Sequence, residues 1–447
     1  MRLLRTSSKA LLPGSATLII LLLLFPRSSS AQLPASNPDQ NLEGLPVRSI
    51  AIHGLEKMEE DVVRRRLELA VGSPYRSDTA RRDERAITGL MTFWSVRIRA
   101  SGYPDRSQPN SVDVEIIIDE RFAWFAAPQI NWTPEEEWSY GLDLAYLNVA
   151  RKGHQLFLSL LTGGARYLKV SFQNPWNGSD HQSFDIEGSS VRVRNNLYKF
   201  DESGERFDFQ MGRWYGRNGR GIAGVSYRRV VGVYPGYSSN PGAGFHDRLH
   251  SIWLYLGRNT TDTWDYPRIG TITGIRIERY GGFLGGNISG SALRATAISR
   301  RTIAGDCVLA GMMTLDGMWG EQPFWNLLTL GGANSVRGYP LGHYLVSRRW
   351  EVSGELQWYV VPMHIISLGK LGDQIVGVSL AAFLDAGGGN GIRRGQEEGP
   401  WPDRTPTLYS TGVGCYFHNA LLGRIRIEIA WPEDGPRRSI LGLGVKF

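Results

Sequence analysis

The residues best suited to a specific chemical role lie in one glycine-rich stretch near the end of the chain, Leu330–Gly342, with the sequence LGGANSVRGYPLG. It contains four glycines and one charged side chain, Arg337. A guanidinium can bind a carboxylate through two parallel hydrogen bonds, and glycine lets the backbone enter confined space. The stretch therefore suits a charged contact inside the protein, although a solvated arginine in a flexible surface loop would have the same composition.

The sequence lacks the patterns that indicate enzymes. It has no G-x-S-x-G nucleophile motif, no P-loop and no HExxH zinc motif. Its eight histidines are scattered, and His154 and His181 are expected near strand starts, in contact with solvent. Cys307 and Cys415 lack the spacing of metal ligands, and two free buried thiols are favoured over a disulfide. We expect no enzyme activity, no cofactor and no metal ion.

The N-terminus has the parts of a secretory signal peptide. The basic segment MRLLRTSSK precedes an apolar run from Leu18 to Phe25, and small residues end at Ala31. The run is much shorter than the ~20 residues that a membrane-spanning helix needs. We therefore predict a signal peptide over residues 1–31 and a polar linker over residues 32–44.

Composition is compatible with a membrane β-barrel. The chain has 447 residues, including 54 glycines and 14 tryptophans, with a formal net charge of +7. Its mean hydropathy is −0.24, which a helical membrane protein would exceed. Only alternate residues of a barrel strand face lipid, so a barrel does not need a hydrophobic composition. The basic residues form no block of the kind that binds nucleic acid, and no such partner is expected.

Residues 45–120 combine two kinds of periodicity. VRSIAIHG, FWSVRIRA and SVDVEIIIDE alternate as strands do, whereas MEEDVVRRRLELAVG and SDTARRDERAITGLM have helical patterns. The order strand, helix, helix, strand, strand predicts one small α/β domain.

From residue 121 to residue 447, short alternating segments are separated by turn residues. In GRIRIEIAWP, the apolar residues share one face and the charged residues share the other. A soluble sandwich and a membrane barrel both allow this pattern, and the segment alone does not decide between them. The length allows about sixteen barrel strands at roughly 20 residues per strand and connection. An even number is expected, since the α/β domain and the C-terminus should lie on the same side.

Several segments resemble the BamA-like superfamily of outer-membrane assembly and translocation barrels. The signature V-R-G-[FY] tetrad of that family is matched by Val336, Arg337, Gly338 and Tyr339. The segments LLTLGG, FLDAG and LGRIRIEIAWP are also similar to the family, and residues 45–120 resemble a POTRA (polypeptide-transport-associated) domain. The resemblance implies an all-β membrane barrel of about sixteen antiparallel strands over residues 121–447, preceded by one α/β POTRA domain. It also implies the bacterial outer membrane, with the POTRA domain in the periplasm.

The resemblance gives the arginine a role. In this family the loop folds back into the barrel, and its arginine contacts acidic residues of the inner wall. Glu355 and Asp385 stand where such partners are expected, and alternation places Phe383 on the same inward side as Asp385. The resemblance therefore implies an internal lock around Arg337.

The family also implies a function, insertion of outer-membrane proteins or translocation of polypeptides. The first strand must pair with the last to close the barrel, and Gly442 and Gly444 would weaken the last strand. A weak seam could offer an unpaired edge to a client strand, although the same glycines could instead relieve crowding in the lumen. The terminal Phe447 is typical of a barrel insertion signal. Expected partners are outer-membrane lipid, unfolded outer-membrane or secreted polypeptides, and accessory assembly lipoproteins.

Two other functions remain open at this point. A passive pore or structural barrel could keep the fold without acting on polypeptides. A dedicated two-partner-type secretion translocator is the other alternative, although such proteins generally carry two POTRA domains and a plug helix, which this linker does not clearly show.

Overall fold

The chain forms a small α/β domain and a β-barrel in the computed structural model. The structure describes residues 42–88, 92–103, 110–120, 123–133, 137–177, 182–195, 200–216, 218–232, 246–262, 267–367, 373–393, 405–419 and 423–443. The predicted signal peptide, nearly all of the predicted linker, Gly444 and Phe447 lie outside the described residues.

The α/β domain has the element order that the sequence predicts. Its elements are β1 (Val47–His53), α1 (Glu60–Arg64), α2 (Ser77–Thr88), β2 (Phe93–Tyr103) and β3 (Ser111–Glu120). The sheet order is β1-β3-β2, with β1 parallel and β2 antiparallel to the central β3. The alternation predicted for β3 is present, because Val112, Val114, Ile116 and Ile118 are all buried in the domain core.

The first helix is shorter than its sequence pattern predicts. Residues 58–72 were expected to be helical, but α1 ends at Arg64. The buried Asp83 of α2 accepts hydrogen bonds from the backbone N–H groups of Glu68 and Leu69, at 2.9–3.0 Å. These contacts replace helical hydrogen bonds and turn the chain so that Leu69 reaches the core.

The barrel follows directly after β3. Its strands are β4 (Trp124–Thr133), β5 (Glu137–Val149), β6 (His154–Gly163), β7 (Ala165–Asn177), β8 (Gln182–Asn195), β9 (Phe200–Tyr215), β10 (Gly219–Gly232), β11 (His246–Asn259), β12 (Gly270–Tyr280), β13 (Gly290–Ala304), β14 (Cys307–Gly320), β15 (Leu328–Leu330), β16 (Tyr344–Ser367), β17 (Asp373–Arg393), β18 (Leu408–Asn419), β19 (Gly423–Pro432) and β20 (Arg438–Leu443).

Neighbouring strands pair in sequence order, and β20 lies beside β4, which closes the barrel. The three-residue β15 pairs with the start of β16, while β14 pairs directly with the following part of β16. The described wall therefore has sixteen main strands and one short addition. The predicted fold class, an antiparallel barrel of about sixteen strands behind an α/β domain, is confirmed.

The direction of the side chains decides between a barrel and a sandwich. On β19, Ile427, Ile429 and Trp431 are exposed on the outer surface, whereas Arg426 and Glu428 are buried inside. On β16, Leu356 and Trp358 likewise point outward, and the polar alternate residues point inward. Apolar residues thus cover the outside and charges line the lumen, as a lipid-facing barrel requires.

Three further observations concern individual residues. Tyr359 is buried in the lumen, where its ring stacks on His418. Cys307 and Cys415 are free and half-buried. No helix among the described residues is both long and apolar enough to cross a membrane.

The α/β domain contacts one end of the barrel at the turn between β5 and β6. The Nε of Arg151 donates a hydrogen bond to the carbonyl oxygen of Lys57 at 3.0 Å, and the Glu59 N–H donates to the Arg151 carbonyl oxygen at 3.0 Å. Ala150 and Arg151 have φ angles of 57° and 64°, in the left-handed region. The domain therefore rests on a tight turn at what we call the near end of the barrel; the opposite end is the far end.

Candidate functional site

The glycine-rich stretch lies inside the barrel. It belongs to the connection between β14 and β16, and Leu330, Val336, Arg337 and Tyr339 are buried within it. Gly331, Gly332, Gly338 and Gly342 all have positive φ. At Gly338 a Cβ would lie 3.1 Å from Pro432 Cδ and 3.2 Å from Ala430 Cβ, so this glycine also permits close approach to β19. Glycine thus provides both the backbone shape and the space that the stretch needs.

Arg337 is fully buried and binds Asp385 in the bidentate manner. Its Nε donates to Asp385 Oδ2 at 2.7 Å and its Nη2 donates to Asp385 Oδ1 at 3.0 Å. The backbone N–H of Arg337 donates to Asp385 Oδ2 at 3.1 Å. One carboxylate therefore fixes both the guanidinium and the backbone of the loop.

Two more carboxylates contact the same guanidinium. Arg337 Nη1 donates to Glu355 Oε2 at 3.0 Å and to Glu428 Oε1 at 2.7 Å. The hydroxyl of Tyr416 lies 2.9 Å from each of these two oxygens and bridges them. The arginine thus connects β16, β17 and β19, the strands that carry the three acids.

The ring of Phe383 completes the enclosure. The guanidinium carbon of Arg337 lies 3.3 Å from the ring centroid, in a cation–π contact. Gly412, on the neighbouring β18, has no Cβ to obstruct this ring, since a Cβ there would lie 2.0 Å from Phe383 Cζ. The aromatic face shields the charge from water, while the carboxylates and the hydroxyls of Tyr416 and Ser353 provide polar contacts.

A second set of contacts holds the earlier part of the loop. The Ser335 hydroxyl donates to Glu351, and the Gly331 N–H donates to the Ser335 Oγ at 3.0 Å. Arg349 donates to the Thr329 carbonyl oxygen and pairs with Asp316 at 2.7 Å. Loss of Arg337 alone would therefore leave part of the loop attached.

The loop is also held on the side of the last strands. The Nη2 of Arg426 donates to Asn334 Oδ1 at 2.9 Å, and the Tyr339 hydroxyl donates to the Tyr409 carbonyl oxygen at 3.2 Å. The Tyr339 hydroxyl also lies 3.3 Å from Asp434 Oδ1 in the turn before β20. We call β16–β19 the anchoring wall, since these contacts to the loop come from it and from the turn that follows it.

The structure places each sequence-predicted site residue as follows. Glu355, Phe383 and Asp385 all contact Arg337, while Val336 packs beside Leu330 in a small apolar cluster. Gly442 lies opposite Arg426, and a Cβ there would lie 3.0 Å from Arg426 Nη2. This crowding favours the lumen interpretation of Gly442 and leaves the seam interpretation to experiment.

Sequence reasoning missed three residues that accept hydrogen bonds from the Arg337 guanidinium, namely Glu428, Tyr416 and Ser353. Glu428 was recognised only as part of the charged face of its strand. Charge balance could have pointed to Glu428. Several acids that face inward from adjacent strands need a buried cation to compensate their charge, and the loop supplies one in Arg337. The Tyr416 hydroxyl had no comparable signal.

Comparisons with known proteins agree with this geometry. The Omp85 superfamily domain matches residues 148–447, about two thirds of the chain. This chain belongs to the Omp85 superfamily. A second family model, surface antigen variable number repeat, is a POTRA model and matches residues 45–121. A comparison with curated proteins finds no match.

Solved structures with similar folds come from the same superfamily. BamA from Haemophilus ducreyi lacking POTRA domains 1–3 is similar with a TM-score of 0.57 and 15% identity, covering 89% of this chain and 83% of that one. CdiB from Acinetobacter baumannii gives 0.56 and 11%, covering 88% and 71%. CdiB from Escherichia coli gives 0.53 and 12%, covering 94% and 91%. At these identities the likeness establishes the fold alone.

Proposed function

We propose that this Omp85 barrel inserts or translocates polypeptides at the bacterial outer membrane, with its POTRA domain in the periplasm. The observation that carries the proposal is the loop held inside the barrel by Arg337. A loop that only fills the lumen does not need a buried arginine bound to three acids. Replacing such buried charges by apolar residues often leaves the stability of a protein unchanged or raises it. The arrangement is therefore better explained by a function that requires this loop position.

The loop acts in this proposal as an internal lock. It is attached to the anchoring wall, which includes the strands nearest the closing pair of β20 and β4. Its Tyr339 also touches Asp434, in the turn that begins β20. By fixing this part of the wall, the lock keeps β19 and β20 in place while the closing pair separates.

The seam between β20 and β4 is the proposed site of client entry. β20 and β4 are the pair of strands that closes the barrel. Unsatisfied backbone groups in lipid are costly, so a client strand would add to an edge that opens there. Clients are unfolded outer-membrane or secreted polypeptides, which the POTRA domain receives first with the help of accessory lipoproteins.

The direct test of this proposal is a disulfide between introduced cysteines in β4 and β20, in a chain with Cys307 and Cys415 replaced by alanine. We expect client delivery to stop when the disulfide forms and to recover on reduction, while the barrel stays folded. The matched control links β19 to β20 through Ile427→Cys and Leu441→Cys, which are directly opposite. Undiminished delivery with a closed seam would rule out the proposed route.

A passive pore is the second candidate, and one observation favours it. Charge pairs on the wall opposite the loop are exposed inside the lumen, for example Lys169 with Glu187 at 2.6 Å. The pore would be supported by steady ion conduction that the seam disulfide does not change. In that case, removal of the protein should also leave client delivery unchanged. A dedicated secretion translocator would instead deliver one secreted partner and leave the other outer-membrane proteins unchanged.

A further inference from the structure

Five arginines lie on the outer surface of the barrel at its far end. Strands run alternately toward and away from the POTRA domain, so the end of β8 and the starts of β7 and β11 lie at the far end, together with the ends of β10 and β12. We call these residues the arginine patch: Arg166, Arg192, Arg229, Arg248 and Arg279.

Alternation establishes that the patch faces outward. Asp247 and Leu249, on either side of Arg248, are buried on the inner face. The outward residues that follow on the same strand are apolar and exposed, including Ile252 and Leu254. The same change from arginine to exposed apolar residues occurs on β7, where Leu168 and Val170 follow Arg166. The patch therefore marks the level at which the apolar belt ends.

Like charges stand directly opposite each other within the patch. Arg166 pairs in register with Arg192 across β7 and β8, and Arg229 pairs with Arg248 across β10 and β11. Directly opposed like charges on one face of a sheet are destabilising. The Arg229–Arg248 pair therefore indicates a surface that is complementary to negative charge from outside the chain.

One acidic side chain stands beside the Arg229–Arg248 pair. Among the described outward-facing side chains of β7–β12, Glu205 is the single acid, and its Oε2 lies 3.5 Å from Arg229 Nη1. Tyr227 and His250 lie opposite each other one step toward the apolar belt, with ring centroids 5.3 Å apart. Aromatic side chains with polar atoms are favoured at membrane–water interfaces, which places the arginines at the level of lipid headgroups.

We propose that the arginine patch binds the phosphate groups of anionic lipids in the outer leaflet. This inference rests on the proposed orientation, in which the far end is the outer side of the outer membrane. Arginine is suited to phosphate because its planar fork donates two hydrogen bonds to phosphate oxygens. A phosphate between Arg229 and Arg248 would convert repulsion within the pair into shared attraction.

The experiment measures retention of a diphosphorylated lipid A by the full-length protein in detergent, with dephosphorylated lipid A as the comparison. The test variant carries Arg229→Gln and Arg248→Gln. We expect wild type to retain the phosphorylated lipid preferentially and the variant to bind it about 25-fold more weakly, since each arginine near an anionic surface contributes a factor of about five.

The matched control carries Arg213→Gln and Arg258→Gln, two exposed, outward-facing arginines at the near end. This variant should retain the lipid as wild type does, and both variants should keep the heat-modifiable mobility of a folded barrel. Equal retention by test and control variants, or equal binding of dephosphorylated lipid, would overturn the proposal. Lipid retention in detergent is independent of client delivery, so failure of the proposed transport function would be seen separately.

Discussion

The two sides of the barrel lumen use charge in different ways. At the anchoring wall, the side chains of Asp385, Glu428 and the loop residue Arg337 are at most 1% exposed. On the opposite wall, Lys169 and Glu187 are 32% and 31% exposed. A charge pair in water contributes little to stability, whereas removing one partner of a buried pair leaves an uncompensated charge. Charged residues therefore stabilise the position of the loop at the anchoring wall, whereas on the opposite wall they only line the lumen with hydrophilic side chains.

The largest effect is expected for Arg337→Ala. It leaves Asp385, Glu355 and Glu428 buried without their shared cation, which should destabilise the loop position by about 3–5 kcal/mol and greatly reduce client delivery. Arg206→Ala on the opposite wall is the control, because Arg206 is 47% exposed and pairs with Asp208. Urea unfolding and a delivery assay measure the two effects, and similar losses in both variants would abolish the distinction between the walls.

A smaller loss is expected for Asp385→Asn. The amide keeps its size but loses the charged bidentate contact, which should weaken the loop by about 2–3 kcal/mol. Combined with Arg337→Ala, it should add much less than its single effect, because both changes remove the same contact. Additive effects in the double variant would mean that the two residues act independently.

A buried carboxylate outside the barrel gives a different kind of contrast. Asp83 in the POTRA domain binds backbone N–H groups rather than a guanidinium, and burial raises its pKa to about 6. The folded pKa lies above the unfolded value, so this group's contribution favours the fold below about pH 4 and is lost as pH rises through 6.

Relative to Asp83→Asn, the wild-type POTRA domain should therefore lose on the order of 2 kcal/mol of stability between pH 4 and pH 7. Hydrogen exchange of the domain within the full-length protein measures this difference. A difference between the two proteins that does not change with pH would show that the Asp83 pKa is not raised.

The smallest effect is expected for Lys169→Gln. Its pair with Glu187 is exposed to lumen water, and the stability should change by less than about 0.5 kcal/mol. Urea unfolding beside Arg337→Ala is the appropriate measurement. A loss of stability comparable to that of Arg337→Ala would indicate that the charge pairs of the opposite wall also hold the structure together.

Much of the fold followed from periodicity in the sequence. Alternation in β3 and β19 predicted two faces for each strand, and the order of the POTRA elements followed from the change between helical and strand patterns. The length of α1 did not, because its end depends on Asp83, which lies more than a dozen residues away in sequence. Such a contact leaves no local pattern to read.

Part of the site could also be predicted from the sequence. The contacts of Arg337 with Asp385 and Glu355 join residues that the loop signature and strand alternation pointed to. The meeting with Glu428 depends on how far the loop reaches across the lumen, which alternation does not specify.

The most direct test of the internal lock is the accessibility of the loop in the folded barrel. Val336→Cys, in a chain with Cys307 and Cys415 replaced by alanine, puts a thiol at a position that is buried beside Arg337. A water-soluble maleimide should label this thiol slowly, and adding Arg337→Ala should make labelling fast. Fast labelling while Arg337 is present would show that the loop lies in solvent and would contradict the account.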